Sequence, residues 1–242
     1  MVQNMTENGR RFVAAYNQID HGLRVQYNFK ANVAFSDLIR RCASLNTVIK
    51  TYEDDLIDLA RLRNAIVHSK SENLIAEPNS EVVVLIEKIA RLVTTPPLAI
   101  EVIKSKDVIR VEHTLTIKGL IAEMSRVGYS SLPIYRGKML IGVIRWQKFV
   151  EVLGTHVLSK GLSVDQFIER TTVEELLGKF SCNQHYLVAS PKITIEEVIG
   201  TFNFNRKIAC IIITADGTTS CPPLGIITGA DIIDLMQVLE DF

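Results

Sequence analysis

Cysteine is scarce in this 242-residue chain, where Cys42, Cys182, Cys210 and Cys221 lie far apart with no CxxC spacing. That excludes a disulfide framework and a thiolate zinc site, and leaves buried, reduced thiols as the default. An excess of either charge is missing as well. Lysine plus arginine and aspartate plus glutamate number 27 each, so no overall field draws the chain to nucleic acid or an anionic membrane. Neither DNA nor membrane is an expected partner, and any RNA contact must come from a local patch. No run approaches the roughly 18 apolar residues of a membrane span, and MVQNMTENGRRF has no apolar core of signal-peptide length. A cytoplasmic protein is expected. GxGxxG, the P-loop, GxSxG and HExxH are all absent. His113, His156 and His185 stand isolated, as satisfied surface or core groups do, and no metal is expected.

What is present is enough apolar material, 47% of residues, to bury substantial cores. Length and composition suggest two domains, 1–95 and 96–242, with the boundary at Thr94-Thr95-Pro96-Pro97, where proline forbids helix continuation. From Arg11 to Val93 apolar residues return every three or four positions, as in Phe12, Ala15, Tyr16, Ile19 and again in Phe35, Leu38, Ile39, Cys42. This spacing predicts four helices, Glu7 to Phe29, Phe35 to Thr51, Glu53 to His68 and Ser80 to Val93, packed as an antiparallel bundle because the loops are short. Beyond the prolines, strands mix with helices, which makes the second part α/β.

That second part is duplicated, with repeat one at 97–154 and repeat two at 181–242. Thr116 to Ile121, Ser130 to Ile134 and Ile141 to Ile144 match Thr194 to Ile199, Ala209 to Ile213 and Leu224 to Ile227. Each copy reads strand, helix, strand, turn, strand, helix. The intervening linker, Gly154 to Phe180, carries one short helix at Val173 to Phe180. In Leu224 to Met236, an apolar strand runs into a helix whose first turn holds Thr228, Gly229, Ala230 and Asp231. A helix start favours an anion and leaves free N–H donors. Thr228 can bond a phosphate oxygen, and Asp231 can accept from two ribose hydroxyls. The same two residues also read as an N-cap and its acidic N3 partner.

The duplicated pattern and the run from Gly225 to Asp231 resemble the cystathionine β-synthase (CBS) domain family, whose tandem repeats bind adenosine-containing ligands in a shared cleft. The resemblance covers Pro97 to Phe242 and implies a ligand site at Thr228, Asp231 and Gly225. Its neighbours would be Ile208 and Ala209, where a small side chain admits the adenine ring, and Val188, Ser190 and Ile193, whose backbone bonds the base edge. Arg206 and Lys207 can reach phosphates. In the first copy the equivalent positions are Arg145 and Lys148, so one good site per pair is expected, although two cations also suit a polyphosphate or dinucleotide. The implied regulatory ligand is AMP, ADP, ATP or S-adenosylmethionine.

Within the helical part, Arg63, Asn64 and His68 resemble the signature of the higher eukaryote and prokaryote nucleotide-binding (HEPN) family. In active members, the Arg, polar residue and His form a metal-independent ribonuclease site across a dimer interface. A histidine titrating near neutrality and a cation for the phosphorane charge suit that chemistry. The two also read as basic groups near the end of a helix that opens on Glu53, Asp54 and Asp55, complementing its dipole. The expected fold is thus α+β multidomain, a HEPN-like antiparallel bundle followed by an α/β tandem CBS pair. The expected function is a homodimeric, cytosolic sensor of an adenosyl ligand, with the helical part as effector. The alternatives are a metal-independent endoribonuclease acting on RNA and a non-catalytic dimerisation or partner-docking module.

Overall fold

The computed structural model describes residues 5–67, 76–104, 108–159, 163–179 and 185–242. The chain divides into two compact units, the first comprising 1–97, 194–200 and 236–242, the second 98–193 and 201–235.

The first unit contains α1 (Glu7–Gln26), α2 (Phe35–Ala43), α3 (Thr47–Thr51), α4 (Glu53–Val67) and α5 (Ser80–Thr94). Its core is the apolar stripe read from the sequence, with Phe12, Ile19, Leu23, Leu38, Ile39, Ile49, Leu56, Ile86 and Ile89 fully buried. Side-chain caps start three of the helices: Thr6 Oγ1 accepts from Gly9 N, Asn46 Oδ1 from Ile49 N and Asn79 Oδ1 from Val82 N.

Two expectations are corrected here. The helix from Phe35 to Thr51 is broken, because the N–H groups of Leu45 and Asn46 both turn back to the Cys42 carbonyl and Asn46 caps a new helix. The first and last helices of this series run parallel rather than antiparallel. Asn8 lies by Pro78, Arg11 pairs with Glu87 through two bonds of 2.8 and 2.7 Å, and Gly22 lies against Val93 and Thr94. The break adds a fifth helical segment, which changes the parity of an up-and-down path.

Glu196 also belongs to this unit and accepts from Thr47 N at 2.7 Å and Thr47 Oγ1 at 3.1 Å. Burial raises its carboxyl above the ordinary carboxylate range, partly offset by the Thr47 donors. The folded state therefore holds this proton more tightly than the unfolded chain, and stability falls as pH rises through the carboxylate range. Glu196→Gln should remove that slope and keep an acceptor, whereas Glu196→Ala should cost about 1 to 2 kcal/mol by orphaning Thr47. Urea titrations between pH 4 and 7 distinguish the two.

The second unit holds two three-stranded sheets of identical topology. The first orders β1 (Val111–Glu112), β2 (Ser131–Arg136) and β3 (Met139–Arg145), and the second β4 (Tyr186–Ala189), β5 (Cys210–Thr214) and β6 (Pro223–Thr228). In each sheet the first pair is parallel and the second antiparallel. The register slips at Ile134/Tyr135 in one and at Ile213/Thr214 in the other, equivalent positions of the repeat. Gly137 (φ 60) and Gly217 (φ 74) take the left-handed conformation in the two hairpin turns.

The faces of the two sheets share a core of Tyr135, Leu140, Val143, Cys210, Ile212 and Ile226. Tyr135 is fully buried, its hydroxyl has no partner among the described residues, and burial pushes it up to about 12. Since the folded state retains this proton above the ordinary tyrosine value near 10, stability is lost as pH rises from there through about 12. Tyr135→Phe should weaken that alkaline loss and raise stability at neutral pH by roughly 1 kcal/mol, because an unpaired buried hydroxyl is removed. Thermal melts at pH 7 and 10.5 measure both effects.

After β3, α8 (Trp146–Leu158) extends past Gly154 into the expected linker, which itself holds two helices, α9 (Val164–Arg170) and α10 (Val173–Leu177), rather than one. Phe167, Val173, Leu176 and Leu177 are drawn into the first repeat's core, and Thr172 starts α10 with a capping box. Two further helices lie in the repeats, α7 (Ile117–Val127) and α11 (Ile195–Phe204), besides the short α6 (Ala99–Val102). No described helix is long and apolar enough to cross a membrane.

Candidate functional site

Strand β6 ends at Thr228, a single 3-10 turn covers Gly229–Asp231, and α12 (Ile232–Asp241) follows. Asp231 Oδ2 accepts from Thr228 N at 2.7 Å and Thr228 Oγ1 at 2.9 Å, while Thr228 Oγ1 accepts from Ala230 N at 3.3 Å. These are the bonds of a capping box. A carboxylate has about four lone-pair positions, so two bonds to Thr228 leave room for further donors such as hydroxyls.

Register decides what lies beside this turn. Thr228 is opposite Cys210, the first residue of β5, and therefore flanks Ala209 and Ile208. Ala209 N donates to the His185 carbonyl at 2.7 Å, which ties the start of β5 to the start of β4. Just before it, Asn205 builds a tight turn, accepting from Lys207 N with its side chain at 3.1 Å and from Ile208 N with its carbonyl at 3.0 Å. The turn borders a cavity of about 750 Å³ lined by Tyr186, Asn203, Asn205, Arg206, Lys207 and Ile208, among others. It is an open hollow, and most of the residues that line it are exposed.

Charge gathers at the same end of the sheet. Burial pushes the Cys210 thiol up to about 12, and the nearby Arg145 guanidinium offsets part of that rise. Lys104 donates to Asp234 at 2.7 Å, and its ammonium is held above the ordinary lysine value chiefly by that partner, with a smaller pull from Asp231. Arg145 starts α8 without any side-chain cap, and Lys148 pairs with Glu151 at 2.6 Å.

Four sequence-predicted residues thus come together: Thr228, Asp231, Ile208 and Ala209. The other four do not join them. Ala189 pairs with Ile213, so Ser190 lies four residues, about 13 Å, along the sheet from the Cys210 level. There a Cβ on Gly217 would come within 3.0 Å of the Ser190 amide nitrogen, so Ser190 belongs to the hairpin end. Ile193 has both backbone groups engaged, donating to the Ser190 carbonyl and accepting from Ala99 N. Val188 pairs with Ile212 and packs against the core between the sheets, and Gly225 sits buried opposite Ile213.

Sequence reasoning missed Tyr186, Asn203 and Asn205 as cavity walls. Only the Asn205 turn had a local signal, a side chain that favours such geometry before two cations. In the first repeat, the equivalents of Ile208 and Ala209 are Tyr129 and Ser130. With Trp146 they border a smaller hollow of about 320 Å³.

In the helical unit, the Arg63 guanidinium lies over the Tyr16 ring at 5.6 Å, and its Nη1 is 3.4 Å from Asn64 Oδ1, with Asn64 exposed. Burial, aided by Asp20, pushes the Tyr16 hydroxyl up to about 12, and Arg63 opposes the shift. His68 lies outside the described residues. Among the described residues, no group of three or more His, Cys, Asp or Glu side chains is placed to hold a metal ion.

No protein-family model matches the chain, and no curated protein does. Among solved structures, it is similar to the CBS domain of a CBS-domain-containing membrane protein from Sphaerobacter thermophilus, with 17% identity over 58% of this chain and 88% of that one, and a TM-score of 0.44. It is also similar to the CBS domain of a bacterial CNNM/CorC-family Mg2+ transporter in complex with ATP, with 17% identity, 63% and 94% coverage, and a TM-score of 0.45. A third similarity is to CbpB in complex with c-di-AMP, with 13% identity, 64% and 93% coverage, and a TM-score of 0.47.

Proposed function

We propose that this chain is a ligand-sensing regulatory protein of the CBS-pair type, binding an adenine nucleotide or related adenosyl ligand at the start of β5. The observation that carries the reading is the register of Thr228 against Cys210, which sets a hydroxyl and a carboxylate beside Ala209, the residue that follows the cavity-lining Ile208. In this reading Asp231 grips the ribose, Ile208 and Ala209 meet the base, and the HEPN-like helical part serves as a dimeric effector. A dimer is supported by α8, which exposes Trp146, Val150 and Val157 at helical spacing, a face suited to a second copy. Ligand can bias the effector only by binding its two states with different affinity.

Isothermal titration of the full chain with AMP, ADP, ATP, S-adenosylmethionine and cyclic dinucleotides tests the reading. Binding of at least one is expected, and binding of none overturns it. Light scattering should give twice the chain mass. The ribonuclease alternative makes a separate demand, cleavage of RNA in EDTA that disappears in His68→Ala.

A further inference from the structure

We infer that the ligand carries phosphate, and that the site selects it by charge over uncharged adenosine and over a sulfonium compound such as S-adenosylmethionine. The inference rests on the adenosyl reading above and deepens it. Over the whole chain charges balance at 27 of each sign, yet the cavity by Ile208 has Arg206 and Lys207 in its wall and no carboxylate among the residues that line it. Asn203, Asn205 and Tyr186 add neutral polar groups to the same wall.

A third cation, Arg145, comes close enough to Cys210 for its charge to act on the thiol, and Cys210 follows Ala209 directly. Next to the cavity, His185 Nδ1 is buried and has no partner among the described residues. The Asn205 side chain accepts from Lys207 N across the short loop that carries both cations.

The chemistry of the candidates separates cleanly against that wall. Guanidinium groups bind phosphate through paired N–H bonds, and a lysine ammonium adds a point charge. S-adenosylmethionine brings a sulfonium and an ammonium against one carboxylate, so it arrives with net positive charge and is repelled. Adenosine arrives with none and gains nothing from the cations. Asp231 follows β6, which pairs with β5 on the side away from β4, and its carboxylate is an acceptor suited to sugar hydroxyls.

The test is calorimetric titration of the full chain with ATP, AMP, adenosine and S-adenosylmethionine, beside Arg206→Ala/Lys207→Ala and Asp231→Ala variants. Arg206 and Lys207 are exposed, so an unchanged melting midpoint shows that the double variant folds. Affinity should rise from adenosine through AMP to ATP, with S-adenosylmethionine at least about tenfold weaker than ATP. The double variant should lose about tenfold or more in ATP affinity and leave adenosine unchanged. Raising salt should erode ATP binding in the native chain more than in the double variant.

S-adenosylmethionine binding as tightly as ATP, or ATP binding untouched by the double substitution, overturns the charge selection while leaving the adenosyl site standing. Failure of every adenosyl compound to bind, or full binding in Asp231→Ala, removes the site itself and the selection with it.

Discussion

Asp231→Ala should weaken adenosyl-ligand binding by roughly tenfold to a hundredfold, the range expected when a hydrogen bond to a charged group is removed. In the proposed site the Asp231 carboxylate, held by Thr228 next to Ala209, is the acceptor for paired sugar hydroxyls. The substitution also opens the capping box, since Thr228 N and Oγ1 lose their shared acceptor, for about 1 kcal/mol of stability. Asp231→Asn separates the two roles. It keeps an oxygen for Thr228 N, so the melting midpoint should stay near that of the native chain, while the loss of charge still weakens ligand binding. Calorimetry and thermal melts on both variants report the two effects independently. Native affinity in Asp231→Ala, with only the midpoint lowered, would reduce the residue to a cap.

The largest stability effect is expected at Ile212. Its side chain is fully buried in the core shared by the two sheets, and its backbone pairs with Val188 on one side and Ile226 on the other. Truncation to alanine removes three heavy atoms where packing from both sheets limits collapse, at about 2 to 5 kcal/mol. Against a typical domain stability of about 5 to 15 kcal/mol, that leaves little reserve. Ile233→Ala on α12 is the matched control, because Ile233 is 78% exposed. Its effect should stay within about 0.5 kcal/mol. Urea denaturation compares the pair, and a loss at Ile212 no greater than at Ile233 would mean the shared core is not closed in solution.

Much of the fold was legible because its signals are local. The helix starts at Thr116 and Thr194 are marked by their threonines, and both are N-terminal caps in the structure, Thr116 to Gly119 N and Thr194 to Glu197 N. Strands β2, β3, β5 and β6 were equally plain as short, largely apolar runs, and they are buried along most of their length. The break at Asn46 was hidden because Cys42, Val48 and Ile49 continue an apolar series that a single helix would also satisfy. The second linker helix was hidden for another reason: Phe167 is buried only because α9 finds the first repeat's core, a contact distant in sequence. At the site, Thr228 and Asp231 were visible, but the same spacing serves a capping box and a sugar-binding pair. The cavity could not be read at all, because it depends on where the Asn205 turn lies relative to Tyr186, which is a matter of strand register.

The matching slip in strand register makes the two copies equivalent frames. Both copies keep the same backbone irregularity at the same place, so what differs between them at this level is what the backbone carries. Arg145 and Lys148, standing in the front copy where the rear copy has Thr228 and Asp231, are then a difference of side chains on a shared scaffold. Installing the pair in the front copy, through Arg145→Thr and Lys148→Asp, tests whether that frame can carry a second grip without being rebuilt.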